Sequence, residues 1–274
     1  MSAGSVVTVV QARMGSSRLP GKVLLPLGES TVLEQMLARL AHARLAGTIV
    51  VATTTDPDDD EIEVICGRAR VAYYRGSPLD LLDRHYQVAR ILSADVVVKI
   101  PSDCPLIDPD VVDRVIGAFL EAVPRCDFVS NLHPATYPDG NDVEVMSIAA
   151  LCTAWERAQR AFEREHTTPF IWDQPERFRT GNVTFEPGAD LSRSHRVVLD
   201  YIDDYEAIRR VFDALHPTDR VFGVGDIVHY LDSHPEVAAL NAAYRGVNWY
   251  RNHLADLRTI GRPGTSIAHQ EIAS

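Results

Sequence analysis

One twelve-residue stretch, Gln11 to Lys22, combines the residue types that bind phosphate. Arginine and lysine supply positive charge, while glycine and serine let backbone N–H groups and hydroxyls approach phosphate oxygens. We therefore predict that this stretch holds a triphosphate; an ordinary mobile surface loop is the alternative. The candidate contacts are Gln11, Ala12, Arg13, Gly15, Ser16, Ser17, Arg18 and Lys22.

The spacing within this loop excludes two common phosphate motifs. Five residues, not four, separate Gly15 from Gly21, and Val23 stands where a Walker A loop has a magnesium-binding Ser or Thr. The glycines also do not form the GxGxxG pattern of dinucleotide-binding loops. The chemistry is therefore that of a different nucleotide site.

Two aspartates follow apolar runs that are predicted to be strands. Asp103 comes shortly after the run that ends at Ile100, and Asp200 directly follows Leu199. In an open α/β sheet, the carboxyl ends of the strands face one cleft, where two carboxylates suit Mg²⁺. A helix N-cap is the alternative for each aspartate, and the residues alone favour it.

These residues must be positioned by a regular alternation of strands and helices. Ser5 to Gln11 is a β-branched run typical of a strand buried on both faces. The first half of the chain alternates in the βαβ manner, which predicts an α/β fold with a doubly wound, mainly parallel sheet. The predicted strands are 5–11, 48–53, 71–74, 95–100, 127–131, 142–146 and 197–199, and the predicted helices are 31–45, 58–69, 80–92, 109–122, 148–164, 205–215 and 225–233.

The pattern changes at Pro134, where a turn-rich stretch precedes a strand and a long helix. We predict a nucleotide-binding core of residues 1–133 and 190–260, with 134–189 as an inserted arm or flap. That arm would support a homodimer, because we expect Phe162, Phe170, Ile171 and Trp172 to expose apolar surface. Residues 261–274 are expected to form a flexible tail.

Composition narrows the possible partners. The net charge of −11 disfavours a nucleic-acid binder, which needs a basic surface to displace counterions. The sequence has no export signal and no apolar stretch long enough to span a membrane, so we expect a cytoplasmic protein. Four scattered cysteines indicate neither a disulfide framework nor a zinc site.

Six further motifs, in order along the chain, resemble those of the CMP-sugar-acid synthetase (cytidylyltransferase) family. The resemblance spans residues 5 to 245 and is strongest to the spore coat polysaccharide biosynthesis branch; 3-deoxy-manno-octulosonate and acylneuraminate cytidylyltransferases are related. It implies a nucleotide-diphospho-sugar transferase-like fold, CTP as co-substrate and Mg²⁺ held by Asp103 and Asp200. The motifs are Arg75-Gly76-Ser77, Asp103 to Pro109, Tyr137-Pro138-Asp139-Gly140, Asp142 to Val145, Arg164-Glu165-His166 and Leu199-Asp200.

The resemblance also assigns the two ends of the substrate site. Cytosine would be read near two predicted strand ends, at Thr53, Thr54, Arg75, Gly76 and Ser77; simple turns are the alternative. The acceptor would be bound by the arm of residues 134–189, through Tyr137, Asp139, Asn141, Glu144, Arg164, Glu165 and His166, although His166 equally suits a helix end.

The expected reaction transfers CMP from CTP to a small acidic acceptor and releases pyrophosphate, with Arg13, Lys22, Asp103 and Asp200 as its catalytic residues. One alternative is a nucleotide-sugar glycosyltransferase, whose DxD metal motif has its nearest match in Asp108-Pro109-Asp110 at a predicted helix start. The other alternative is a paralogue that binds nucleotide without catalysis.

Overall fold

The computed structural model describes residues 4–186 and 188–260, and the predicted tail of residues 261–274 lies outside the described residues. The β-branched run near the N-terminus forms β1, which is paired on both sides and buried through its centre. Its successive side chains point to opposite faces of the sheet: Val9 packs into the apolar cluster on one face and Val10 into the cluster on the other. The strands are β1 (Val6–Gln11), β2 (Pro26–Leu27), β3 (Ser30–Thr31), β4 (Thr48–Thr54), β5 (Ala72–Gly76), β6 (Val96–Pro101), β7 (Phe128–Ser130), β8 (Glu144–Ser147) and β9 (Thr180–Asn182).

Several of the helices begin at a residue whose polar side chain caps the first turn. The first helix begins with a capping box: the Glu34 backbone N–H donates to Thr31 Oγ1, and Glu34 Oε2 accepts from the Thr31 backbone. Asp108 caps α4, whose predicted bounds are confirmed at both ends. The helices are α1 (Val32–Leu40), α2 (Asp60–Ala69), α3 (Leu81–Ile91), α4 (Pro109–Ala122), α5 (Ile148–Arg157), α6 (Ala161–His166), α7 (Pro169–Trp172), α8 (Ile202–Leu215), α9 (Val224–Ser233) and α10 (Pro235–Ala238).

Seven strands form the central sheet in the order β5-β4-β1-β6-β8-β7-β9. The first four are parallel, β8 is antiparallel to both of its neighbours, and β7 and β9 are parallel. Helices α1, α2 and α4 cover one face, while α3, α5 and α7 cover the other. The predicted mainly parallel α/β fold is therefore confirmed.

The helix predicted over 31–45 ends early, at Leu40, and two other predicted elements differ in kind from those in the structure. The helix predicted over 148–164 is two helices, because Ala158 turns to extended backbone and Glu163 accepts hydrogen bonds from the N–H groups of Gln159 and Arg160. The segment predicted as a strand over 197–199 is buried, but it pairs with no strand of the sheet among the described residues. Its apolar side chains instead pack under α8 and α9.

The predicted arm, residues 134–189, contributes β8 and β9 to the central sheet and α5 and α7 to one of its faces. The division into a core and an arm stays a prediction. In the described ranges, no helix has both the length and the apolar character that a transmembrane helix needs.

Candidate active site

A cleft of about 1890 Å³ opens beyond the carboxyl ends of β1 and β6. The loop from Gln11 to Lys22 forms one wall, and residues 128–144, α6 and the segment 246–260 contribute the others. Sequence-predicted residues on the cleft are Gln11, Ala12, Arg13, Ser16, Ser17, Arg18, Lys22, Ser77, Asp103, Tyr137, Asp139, Glu144, Arg164, Glu165, His166 and Asp200. Those that do not line it are Gly15, Thr53, Thr54, Arg75, Gly76 and Asn141.

The phosphate-type loop is held by backbone hydrogen bonds, and one of its cations, Arg13, is left available. Ser16 and Gly21 both donate from the backbone to the Met14 carbonyl, at 2.8 and 3.0 Å. Gly21 has a φ of 69°, a left-handed conformation that favours glycine. Arg13 is exposed on the cleft and forms no ion pair within the described residues. The geometry thus presents a free guanidinium where the sequence predicts a triphosphate.

Lys22 joins this loop to both predicted metal-binding aspartates. Its ammonium lies 3.1 Å from Asp103 Oδ2, 3.0 Å from Asp200 Oδ1 and 2.7 Å from the Leu199 carbonyl oxygen. Burial works to lower the pKa of Lys22, but the charges of Asp103 and Asp200 outweigh it and the pKa is raised. Two carboxylates from distant parts of the chain therefore converge on one positive charge.

Backbone hydrogen bonds, not membership of a sheet strand, bring Asp200 close to Asp103. The Leu199 N–H donates to the Asp103 carbonyl at 2.8 Å, which ties the two aspartate segments together. Asp204, at the start of α8, accepts from the backbone N–H of Asp200 at 3.0 Å. Burial works to raise the pKa of Asp200, but Lys22 and Arg18 outweigh it and the pKa is lowered. Asp200 is thereby kept as a carboxylate beside two cations.

Arg196 is a site residue that the sequence analysis missed. Its guanidinium is 1% exposed and binds Asp204 at 2.8 Å and Asp139 at 2.7 Å, with Asp200 at 3.7 Å. It thus orients Asp139 and stands behind Asp200. The signal available in the sequence was a charged residue directly before the apolar run Val197–Leu199.

Two carboxylates on the cleft have raised pKa values. Burial raises the pKa of Asp139 to about 7; Arg196 opposes this, and Asp200, Asp204 and Asp103 add to it. Burial and the neighbouring Asp139 and Asp103 raise the pKa of Asp142 well above its usual range. Asp142 also was not predicted as a site residue. The cleft therefore has two carboxyl groups that bind a proton at higher pH than an ordinary aspartate does.

The residues predicted to read cytosine are largely engaged with one another. Arg75 donates to the carbonyls of Thr54 and Asp56, both at 2.7 Å, and binds Asp60 at 2.6 Å. Thr54 Oγ1 donates to Asp59. These contacts brace the ends of β4 and β5 and leave Ser77, alone of that predicted set, on the cleft.

Arg84 on α3 is a second missed cation at this end of the cleft. It is 3% exposed, donates to the Ser77 carbonyl at 3.1 Å, and has a buried Nε without a hydrogen-bond partner among the described residues. Burial and the charge of Arg13 lower the pKa of Arg84 to about 10, despite Asp59 and Asp80. The signal available in the sequence was an arginine within the helix predicted over 80–92.

The predicted acceptor residues divide between the cleft and the framework. Arg164 binds Asp80 Oδ2 at 2.6 Å and the Trp155 carbonyl at 2.8 Å, so it joins α6 to α3. Glu144 binds Lys99 and accepts from Thr168 at 2.5 Å. Asn141 accepts from the Asp108 N–H at 2.9 Å and is buried.

The apolar side chains expected to support a dimer are instead buried within one chain. Phe162, Phe170, Ile171 and Trp172 are 5%, 6%, 0% and 5% exposed, and they pack in the layer that covers one sheet face. The expectation that they expose apolar surface is wrong, because α6 and α7 fold against α3 and α5. The homodimer itself stays a prediction.

Comparison with known proteins identifies the family. A family profile described as cytidylyltransferase matches residues 7–230. The chain belongs to the cytidylyltransferase family. The predicted resemblance is therefore confirmed. The family is one of nucleotidyltransferase enzymes, and the mainly parallel α/β fold of this chain agrees with it.

Three relatives illustrate the range of similarity. This cytidylyltransferase is 28% identical over 241 residues to the spore coat polysaccharide biosynthesis protein SpsF of Bacillus subtilis, covering 85% of the chain and 96% of that protein. A 3-deoxy-manno-octulosonate cytidylyltransferase of Pelobacter propionicus is 31% identical over 117 residues, 43% of the chain and 45% of its own length. A solved cytidylyltransferase structure from Leptospira borgpetersenii superposes with a TM-score of 0.82 at 32% identity, covering 86% of this chain and 97% of that one.

The donor set around Lys22 fits the magnesium that the resemblance implies. Within the described residues, no group of three or more His, Cys, Asp or Glu side chains is arranged around a potential metal position. Asp103 and Asp200, however, already converge on a cation, the Lys22 ammonium. Mg²⁺ is commonly bound by one or two protein carboxylates and completes its shell with substrate phosphates and water.

Proposed function

We propose that this cytidylyltransferase transfers CMP from CTP to a small acidic acceptor, a sugar acid or a similar compound, with release of pyrophosphate. The observation that supports it most is the convergence of Asp103 and Asp200 on Lys22 beside the loop of Arg13 and Arg18. A triphosphate needs such concentrated positive charge, and a reacting α-phosphate needs adjacent carboxylates that can hold a metal. The names of the relatives support CTP and, for one, polysaccharide biosynthesis.

In this proposal, an oxygen of the acceptor attacks the α-phosphorus in line with the departing pyrophosphate. Arg13 and Lys22 stabilise the charge that develops on the leaving group, and Arg18 steadies Asp200 at 2.8 Å. Asp103 and Asp200 would hold Mg²⁺, which when bound supplies positive charge to the phosphate oxygens. Losing one charged contact of this kind costs on the order of 10²-fold in rate.

The remaining residues position the two substrates. Ser16 and Ser17 offer hydroxyls to the phosphates, while Arg84 and Ser77 occupy the end of the cleft assigned to the nucleoside. Asp139, Glu165 and His166 face the cleft on the acceptor side. We propose that residues 134–189 are the arm that binds the acceptor. We also propose that the protein acts in the cytoplasm.

A pyrophosphate-release screen tests the proposal. CTP, ATP, GTP and UTP are each offered with sugar acids, phosphonates and phosphorylated small molecules in the presence of MgCl₂. We expect release with CTP and a sugar acid, and loss of it by on the order of 10²-fold or more in Asp103→Ala. The matched control is Asp190→Ala, another aspartate on the cleft but outside the Lys22 cluster, which keeps activity.

Other outcomes select the alternatives. Calorimetric binding of CTP with no pyrophosphate from any acid indicates a nucleotide-binding paralogue without catalysis. Transfer of a sugar from a nucleotide sugar indicates a glycosyltransferase. Wild-type rates in Asp103→Ala with a working acceptor contradict the metal assignment.

A further inference from the structure

One buried carboxylate lies behind the phosphate-type loop and has no part in the chemistry proposed above. The acidic run from Asp56 to Glu61 leads into α2, and its other side chains are exposed. Asp59 is the exception, because it is 1% exposed at the N-terminal end of that helix. It does not line the cleft, so any effect that it has on a substrate must pass through another residue.

Asp59 accepts three hydrogen bonds from two distant segments of the chain. The Met14 backbone N–H donates to Oδ1 at 2.7 Å. The Thr54 backbone N–H donates to Oδ2 at 3.1 Å, and the Thr54 hydroxyl donates to the same oxygen. Met14 belongs to the loop of Gln11 to Lys22, and Thr54 is the last residue of β4. The carboxylate therefore ties the phosphate-type loop to the end of a strand of the central sheet.

Met14 is the residue on which the turns of this loop depend. Its carbonyl accepts from the backbone N–H groups of both Ser16 and Gly21. In the part of the chain that the structure describes, no other backbone N–H of residues 13–21 donates to a group outside the loop. The bond to Asp59 thus fixes the point from which the rest of the loop is built.

The loop held in this way keeps backbone donors available for a ligand. The N–H groups of Arg13, Ser17 and Arg18 donate to no other group among the described residues, and all three residues line the cleft. Backbone N–H groups of consecutive residues in a turn form concavities that bind anions. A loop that is already ordered also loses less conformational freedom when its ligand binds. Asp59 can therefore raise affinity for phosphate without touching it.

We propose that Asp59 is a positioning residue for the pyrophosphate portion of CTP. It holds Met14, and through Met14 the whole loop, in the conformation that presents backbone N–H groups to the β- and γ-phosphates. The inference rests on the proposed transfer of CMP, in which these two phosphates leave and the α-phosphate lies beside Asp103 and Asp200. Loss of Asp59 should therefore affect the leaving portion and spare the part that is transferred.

Calorimetry on the full-length protein in MgCl₂ tests this with three probes, CTP, inorganic pyrophosphate and CMP. We expect Asp59→Ala to weaken the binding of CTP and of pyrophosphate about tenfold or more, because the loop loses a bond to a charged acceptor and must be ordered by the ligand. CMP lacks the pyrophosphate portion and should bind within about twofold of its wild-type affinity.

Asp113 provides a matched control on another part of the fold. It is 7% exposed, accepts from the backbone N–H groups of Arg44 and Leu45 at 3.0 and 2.7 Å, and does not line the cleft. Asp113→Ala removes a buried carboxylate with similar contacts, so it should lower the melting temperature and leave all three affinities unchanged.

Two further measurements separate a loss of folded protein from a loss of affinity. A fraction of unfolded protein lowers the stoichiometry of the titration and leaves its Kd unchanged. If Asp59→Ala does not fold, Asp59→Asn decides the question, since asparagine keeps the volume and one acceptor oxygen. It should show the same contrast between CTP and CMP, to a smaller extent.

Each result has one consequence. Unchanged affinity for CTP and pyrophosphate in the Asp59 variants overturns the inference while the proposed function stands. Equal weakening of CTP, pyrophosphate and CMP also overturns it, because Asp59 then supports the whole cleft and not the loop. If the wild-type protein binds neither CTP nor pyrophosphate, the proposed function fails and this inference fails with it.

Discussion

Replacing Lys22 with methionine removes the cation on which Asp103 and Asp200 converge. The substitution keeps an unbranched apolar stem without the ammonium and loses three contacts of 2.7, 3.0 and 3.1 Å, in a residue that is 8% exposed. Breaking a buried ion pair costs about 3–5 kcal/mol because the partner charge is left uncompensated. Arg18 at 2.8 Å and Arg196 at 3.7 Å still neutralise Asp200, so we expect the lower end, about 3 kcal/mol.

Urea unfolding followed by circular dichroism measures this loss of stability. The control is Arg68→Met, which removes a salt bridge to Glu34 from a side chain that is 55% exposed and should change stability by at most about 1 kcal/mol. MgCl₂ should raise the melting temperature of Lys22→Met more than that of wild type, since the freed carboxylates can then bind a divalent cation. A Lys22→Met protein as stable as wild type and indifferent to MgCl₂ would refute the reasoning.

Three further perturbations probe other parts of the site. Gly140 has a φ of 115°, and an added Cβ would lie 2.5 Å from the Val197 carbonyl carbon. Gly140→Ala should therefore lower the free energy of unfolding, measured by urea titration, by at least about 2 kcal/mol. The control Gly67→Ala adds its Cβ to open space in α2 and should be neutral or stabilising by up to about 1 kcal/mol. The pKa values of Asp139 and Asp142 are raised in the folded state, so the folded protein retains protons that the unfolded chain releases. The free energy of unfolding should therefore fall as pH rises from about 4 to about 7. Asp142→Asn should make that fall shallower, and an unchanged slope would exclude Asp142 as a contributor. Arg84→Met should weaken CTP binding measured by calorimetry by about tenfold, and undiminished affinity would exclude contact between Arg84 and the nucleotide.

The predictable elements are those in which the local sequence pattern favours the same structure as the packing around the element. The β-branched run of β1 is buried on both faces, and the capping residue Thr31 and the first-turn proline Pro109 mark the starts of α1 and α4. The order of the motifs along the chain also indicated that Asp103 and Asp200 share a cleft, although they are far apart in sequence. Pattern and motif order were sufficient for these features.

Other features depend on contacts that no local pattern carries. Val197–Leu199 is as apolar as a strand, but its backbone bonds to the loops of Asp139 and Asp103, so it stays outside the sheet. The break after Arg157 arises because Glu163 caps a second helix within an otherwise helical pattern. Arg196 reaches Asp139 and Asp200, and Trp249 reaches the cleft, only through long-range packing, and neither residue has a distinctive spacing in the sequence.

The most direct test of the account measures pyrophosphate release by wild-type protein with CTP and a sugar acid, against the same acid with ATP, GTP or UTP. The account predicts release that requires the acid, a divalent cation and CTP, and that falls on the order of 10²-fold or more in Asp103→Ala and in Asp200→Ala. Equal release with all four nucleotides, or undiminished release from both aspartate variants, would contradict it.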